Sequence, residues 1–261
     1  MSALKSLLAV CSIIKTQTKI SMSRNLYRFS VFFMPLFFAT LLYFIYPPSK
    51  HESLSAYIIF GSGIASLWGV TCYSSSIEIE RERLSGTLEA VSITPVGLEF
   101  IIICKIIANT IVGSLSFVIV TLYALAVLRL HVGIQNIALF ATSFITLLIA
   151  FISTSFVVAT LFTLSRNAFA LMSTIQYPIY LISGMLFPVE ILPRWVQVIA
   201  AVLPVRWGVK ILNFSLTIYN FNFQYFRMVL CCFVLSIVYF ILGHVLFKII
   251  EYKSRYEATL G

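Results

Sequence analysis

Few residues in this sequence can carry chemistry. It contains no Asp and only nine acidic residues in all. Its three histidines, His51, His131 and His244, are too scattered for a metal site. The five cysteines, Cys11, Cys72, Cys104, Cys231 and Cys232, lack metal-ligand spacing and read as small apolar residues of helices. No G-x-x-x-x-G-K-[ST] phosphate loop is present. The expected inventory therefore holds no catalytic, cofactor-binding or metal-binding residue. What remains is docking chemistry. Glu78, Glu80, Glu82 and Glu89 are four of the nine acids, and Arg81 and Arg83 alternate with them. A chain that concentrates its scarce charges in one short polar loop uses that loop to touch something soluble.

The second group is polar without charge. Met172, Gln176, Tyr180 and Gly184 recur every four residues along one helical face, and Asn109 is the comparable polar residue of another apolar run. Two readings stay open for them: a face bordering a substrate route, or interhelical hydrogen bonds.

These residues sit in a chain that is 60% hydrophobic and 10% charged, with a mean hydropathy of +1.00. Soluble domains carry about 25% charged residues, so the composition places the chain in a membrane. Hydropathy predicts six spans near 26–46, 54–77, 98–128, 136–164, 168–187 and 226–249, each a helix that closes its own backbone hydrogen bonds. No acidic or basic residue is expected deep in a span, which argues against a proton- or ion-coupled carrier. The net charge of +9 flanks the apolar runs and forms no soluble basic face, so anionic lipid is a better partner than nucleic acid. No cleavable leader is expected. With both termini cytoplasmic, twelve of the eighteen Lys and Arg residues fall inside.

Ahead of the first span, residues 2–22 place Leu4, Leu7, Leu8, Cys11 and Ile14 at helical spacing, with Lys5, Lys15 and Lys19 largely elsewhere on the wheel. This predicts an amphipathic helix lying on the membrane. Gly61, Ala65 and Gly69, at i, i+4 and i+8, let helix backbones approach closely, within the chain or between two copies. Residues 78–84 extend the second span as a charged helix, which Ser85-Gly86 bends or breaks. A short helix follows over 87–93, and Thr94-Pro95 suits the N-cap and first turn of the third span. After the fifth span, Phe187-Pro188 and Leu192-Pro193 punctuate the chain. Runs from Trp195 to Val202 and from Val205 to about 218 are apolar but too short to cross, and they carry interfacial Trp195, Trp207, Arg194, Arg206 and Lys210. They predict a pair of short helices dipping into one leaflet from outside.

The pattern E-R-E-R-x-x-G-T-L-E-x-x-x-x-T-P-V over 80–96 resembles the segment after the second span of the type-2 ABC exporter permeases. This chain inserts Leu84-Ser85 before the glycine, where many relatives run straight from arginine to glycine. The resemblance implies ATPase coupling by Glu80, Arg81, Glu82, Arg83, Gly86, Thr87, Leu88, Glu89, Thr94 and Pro95. Gly184, Phe187, Pro188, Pro193, Trp195 and Pro204 are similar to that family's re-entrant hairpin, which lines its outer gate. The expected fold is all-α and integral to the membrane. It is a single domain over 1–261, with an interfacial helix (1–25), six transmembrane helices, a cytoplasmic coupling helix within 78–97 and an extracellular re-entrant hairpin (188–220). The function implied is the permease subunit of an exporter for a drug, antibiotic peptide or lipid-like molecule. ATP and Mg would reside on a separate ATPase, and a second copy of the permease would complete the path in a bacterial inner membrane. A polysaccharide or teichoic-acid exporter is the nearest rival, and a non-transporting membrane scaffold is the rival from another class.

Overall fold

The computed structural model describes residues 3–45, 52–86, 97–130, 133–162 and 168–258. Every long element among them is a helix, and none is a strand. The first helix, α1 (Ala3–Ser23), leads into α2 (Asn25–Phe32) and α3 (Met34–Ile45), which together make one apolar run. Proline chemistry explains the break between them. Pro35 has no N–H to offer the carbonyl of Val31. That carbonyl instead accepts a hydrogen bond from Ser116 Oγ at 3.1 Å, so the break becomes a tie to a neighbouring helix.

The next element runs without interruption from Glu52 to Leu84. It comprises α4 (Glu52–Trp68), a π-helical turn (Gly69–Tyr73) and α5 (Ser74–Leu84). Leu84 is followed by a turn in which Gly86 adopts φ +69°, a left-handed conformation that ends a helix at little cost in glycine. The expected bend at Ser85-Gly86 is therefore present. The third apolar helix, α6 (Leu98–Ala126), starts where the third span was expected. Its N-cap is Gly97 at φ +77°, with no side-chain capping bond, and the expected cap pair Thr94-Pro95 lies outside the described residues.

Two further helices of crossing length are α7 (Ile137–Phe162) and α11 (Phe223–Ala258). Between them lie α8 (Ala168–Ile182), a 3-10 turn (Val189–Ile191), α9 (Arg194–Val202) and α10 (Pro204–Ser215). Among the described residues, four helical runs are long and apolar enough to cross a bilayer: Asn25–Ile45, Leu98–Ala126, Ile137–Phe162 and Phe223–Ile250. Counting the bent pair α9–α10 as one span brings the number to five at most. The sequence expectation was six, and the difference lies in two elements. Helix α8 has 15 residues, roughly 22 Å at 1.5 Å per residue, against a hydrocarbon core of about 30 Å. Helix α4 has 17 residues before the π turn.

The core forms where α4, α6, α7, α8 and α10 meet. Trp68 and Phe151 pack edge to face at 5.3 Å between ring centres, surrounded by Leu67, Leu147, Met172, Tyr180 and Leu212. The small residues of α4 serve this interior. A Cβ on Gly61 would lie 2.6 Å from the Met185 carbonyl oxygen, and Ala65 is fully buried. The two open readings of that motif thus resolve to packing within the chain. Helix α11 docks on α7 through Gly243, where any Cβ would enter the Phe156 ring. Its other faces expose Phe226, Leu230, Phe233, Ile237 and Ile241, the surface expected of a helix bathed in lipid.

Candidate functional site

Helix α5 presents a polar stripe. Ser75, Glu78 and Glu82 follow one another at spacings of three and four, so they share one face. Across from it, Lys105 and Asn109 of α6 repeat the spacing, and α1 ends nearby with Gln17 and Ser21. Arg24, between α1 and α2, closes the group. Its guanidinium donates two hydrogen bonds to the Glu78 carboxylate, both 2.8 Å long. Arg81 reaches the same carboxylate at 3.9 Å, and Lys105 pairs with Glu82. Residues from three parts of the chain thus converge on α5, the helix that precedes 87–96 in the sequence.

Asn109 pins the neutral half of this cluster. It is 1% exposed. Its Oδ1 accepts from Tyr27 Oη at 3.1 Å and from Ser21 Oγ at 3.4 Å, and its Nδ2 donates to Ser75 Oγ at 3.0 Å. Gln17 Nε2 in turn donates to Ser21 Oγ at 3.0 Å. A buried amide satisfied in this way positions helices rigidly, because losing any one partner leaves a desolvated polar group.

Glu78 feels two opposing influences. Burial on its own would raise its carboxyl, but the paired Arg24 guanidinium, helped by Lys105 and Arg81, overrides that and holds it below the ordinary carboxylate value of 4.5. The Arg24 guanidinium is raised chiefly by its hydrogen bonds to Glu78. A carboxyl lowered by folding contributes stability that is whole above its unfolded value and is lost as pH falls through the folded one. Thermal melting of the detergent-solubilised chain is therefore expected to be flat, as far as this pair is concerned, from about pH 8 to about pH 6, and to fall below about pH 4.5. The Glu78→Gln variant should lack that acid-side component.

The expected docking residues are placed as follows. Glu80, Arg81 and Glu82 lie on α5, half-buried, and Arg83 lies on the same helix. Gly86 forms the exposed turn after it. Thr87, Leu88, Glu89, Thr94 and Pro95 fall outside the described residues. On the far side of the gap, Glu99 of α6 meets His244 Nδ1 of α11 at 2.7 Å, which ties the start of one helix to the other.

Sequence reasoning did not find Arg24, Glu78 and Lys105 as partners. It counted Lys and Arg residues only toward orientation and read Glu78 as part of a charged extension of the second span. The available signal was the three-four spacing of Ser75, Glu78 and Glu82, matched by the four-residue spacing of Lys105 and Asn109.

The second group is distinct. Met172, Gln176 and Tyr180 of α8 turn inward, with Met172 and Tyr180 buried and Gln176 Nε2 donating to Tyr180 Oη. Tyr180 also meets Phe38 of α3 edge to face. The opposite face of α8 exposes Leu171, Ile175, Tyr177 and Leu181. Asn109 belongs to the charged cluster and not to this face.

The hairpin is built from its punctuation. Gly184 has φ +80°, and a Cβ there would lie 2.7 Å from Val189, so conformation and space both select glycine. Phe187 is half-buried, and Pro188 precedes the 3-10 turn. Pro193 caps α9, its carbonyl accepting from the Val196 and Gln197 amides. Pro204 opens α10 at its first position, where a missing N–H costs nothing. The two helices meet at 97°. Trp195 is 69% exposed on α9, whereas α10 buries Val205, Gly208, Val209 and Leu212 against α7.

A family model described as ABC-2 type transporter matches residues 9–217, from within α1 through the hairpin. No curated protein matches the chain.

Proposed function

Since this chain belongs to the ABC-2 type transporter family and is a membrane permease component of an ABC transporter, we propose that it serves an exporter and that the segment 78–97 receives the stroke of the separate ATPase. The observation that carries this reading is the convergence on Glu78. A push on 87–96 enters α5, and α5 is fastened by ion pairs to Arg24 and to Lys105. A displacement of the loop therefore moves α1, α2 and α6 together instead of dissipating in one helix.

The rest of the reading follows from this. Glu80, Arg81, Glu82, Arg83, Gly86, Thr87, Leu88, Glu89, Thr94 and Pro95 form the ATPase-facing surface, and both termini lie on the ATPase side. Six crossings result if the part of the second run before Glu78 and α8 each traverse a locally thinned or tilted path. The hairpin residues Gly184, Phe187, Pro188, Pro193, Trp195 and Pro204 shape the opposite gate. A second copy completes the path, with ATP and Mg held by the ATPase. The cargo is an amphipathic drug, peptide or lipid-like molecule, and the home is a bacterial inner membrane.

The test is affinity purification of the tagged chain from its native membrane. An ATPase should co-purify, and Glu82→Ala or Leu88→Ala should reduce its retention or its stimulated activity. A folded chain that brings down no ATPase sinks the proposal. A separate expectation concerns the route. Gln176→Ala should lower transport several-fold while leaving the ATPase bound, measured as substrate flux in proteoliposomes. Unchanged flux removes Gln176, and with it the Met172–Tyr180 face, from the path.

A further inference from the structure

Between the turn after α8 and the outer face of α10 lies a cavity of about 260 Å³. Ser183, Pro188 and Val189 form one wall, and Val209, Asn213 and Phe214 form the other. Three charged side chains also line it: Arg206 and Lys210, one turn apart on α10, and Glu190 on the 3-10 turn. They are not paired with one another. Arg206 spends one nitrogen on the Gln197 carbonyl at 2.6 Å. Lys210 rests over the Trp207 ring at 5.8 Å, and neither it nor the Glu190 carboxylate has an ion-pair partner among the described residues. Opposite charges in one small cavity, held beyond contact distance, leave a gap that a ligand of mixed charge would bridge.

We infer that this cavity binds a headgroup carrying both a phosphate and a primary ammonium, the phosphate on Arg206 and Lys210 and the ammonium on Glu190. Arginine and lysine are the usual phosphate donors, one by planar fork and one as a point charge. A purely anionic headgroup would satisfy the cations but meet the Glu190 carboxylate. A trimethylated ammonium could not donate hydrogen bonds to it. Size points the same way. Drug-sized ligands occupy roughly 300–1,000 Å³, so the cavity suits a headgroup better than an entire drug. The hairpin supplies the other half of an amphiphile, because Ile191, next to Glu190 on the same turn, and Trp195 and Val198 of α9 are broadly exposed apolar residues. The source favoured is thus a diacyl phosphoethanolamine lipid of the surrounding leaflet. The site rests on the hairpin's own geometry and not on the direction or cargo of transport.

The test is native mass spectrometry of the detergent-solubilised full chain, titrated in parallel with phosphatidylethanolamine, phosphatidylglycerol, phosphatidylcholine and soluble phosphoethanolamine. Retention of phosphatidylethanolamine about tenfold above the other two lipids is expected, one charge-assisted hydrogen bond being enough for that factor. Glu190→Gln should remove the preference for ethanolamine over glycerol while leaving lipid bound. Lys210→Gln should weaken all phosphate-bearing ligands about tenfold. Arg206 is left intact because it also ties α10 to α9. Equal melting temperatures for both variants and the parent establish that the fold is preserved. Retention of the diacyl lipid that excess phosphoethanolamine does not displace assigns the membrane as source, and binding of the soluble compound alone assigns a free phosphoamine. Binding of neither, or binding indifferent to both substitutions, overturns the inference.

Discussion

Replacing Glu78 by glutamine is expected to cost about 3 kcal/mol of stability, the lower end of the range for breaking a buried ion pair. The magnitude follows from what is left behind. The Glu78 side chain is 6% exposed and the Arg24 side chain 26%, so the neutral amide strands a guanidinium that water reaches only in part. Two fork hydrogen bonds are lost or weakened at once, and Lys105 and Arg81 lose a compensating charge nearby. The double variant Arg24→Gln/Glu78→Gln should recover a large part of the loss, because removing both partners leaves no unpaired charge. Thermal unfolding of the four members of this cycle in detergent measures the coupling directly. Additive effects of the two single changes would show that the pair contributes nothing as a pair.

The second large effect is expected at Gly61. A Cβ there would stand 2.6 Å from the backbone oxygen of Met185, closer than side-chain carbons approach carbonyls. Backbone cannot swing aside as a side-chain tip can. Gly61→Leu therefore forces α4 away from the turn that starts the hairpin, and overpacking of this kind costs about 3 kcal/mol. In a chain of this size that corresponds to a melting point lower by roughly 6–12 °C. Gly133→Ala is the matched control, since nothing lies within 4 Å of a Cβ at that position. If the two variants melt alike, the close approach of α4 to the hairpin turn is not real.

Much of the fold was legible because hydropathy and punctuation are local. Pro204 and Gly86 stand where helices begin and end. The apolar runs at 98–128 and 136–164 became Leu98–Ala126 and Ile137–Phe162, and 226–249 became part of Phe223–Ala258. The helix expected over 2–22 appears as Ala3–Ser23, and near its C-terminal end it buries the polar Gln17 and Ser21. What sequence did not disclose is pairing across distance. Arg24 and Glu78 are 54 residues apart, and periodicity says which face is polar without saying what the face meets. The fifth span was drawn too long because Ile182 to Phe187 is apolar, and hydropathy does not register that Gly184 turns the chain there. The expected docking residues came from a resemblance of pattern over 80–96, and half of them lie outside the described residues.

The π turn at Gly69–Tyr73 has an arithmetic consequence. A π turn takes up one residue more than the α-helical path through the same space. Every residue of α5 is therefore offset by one step, about 100°, from where an unbroken helix would aim it. With that extra residue, α4 aims Ile64 and Trp68 at the core while α5 aims Ser75 and Glu78 at Asn109 and Arg24. Keep all five residues from Gly69 to Tyr73 but wind them as regular α, and the entire lower stripe would rotate off its partners; delete one of them, and the helix could close into regular α with the stripe still in place. The winding of this stretch thus sets the direction in which α5 presents its charges.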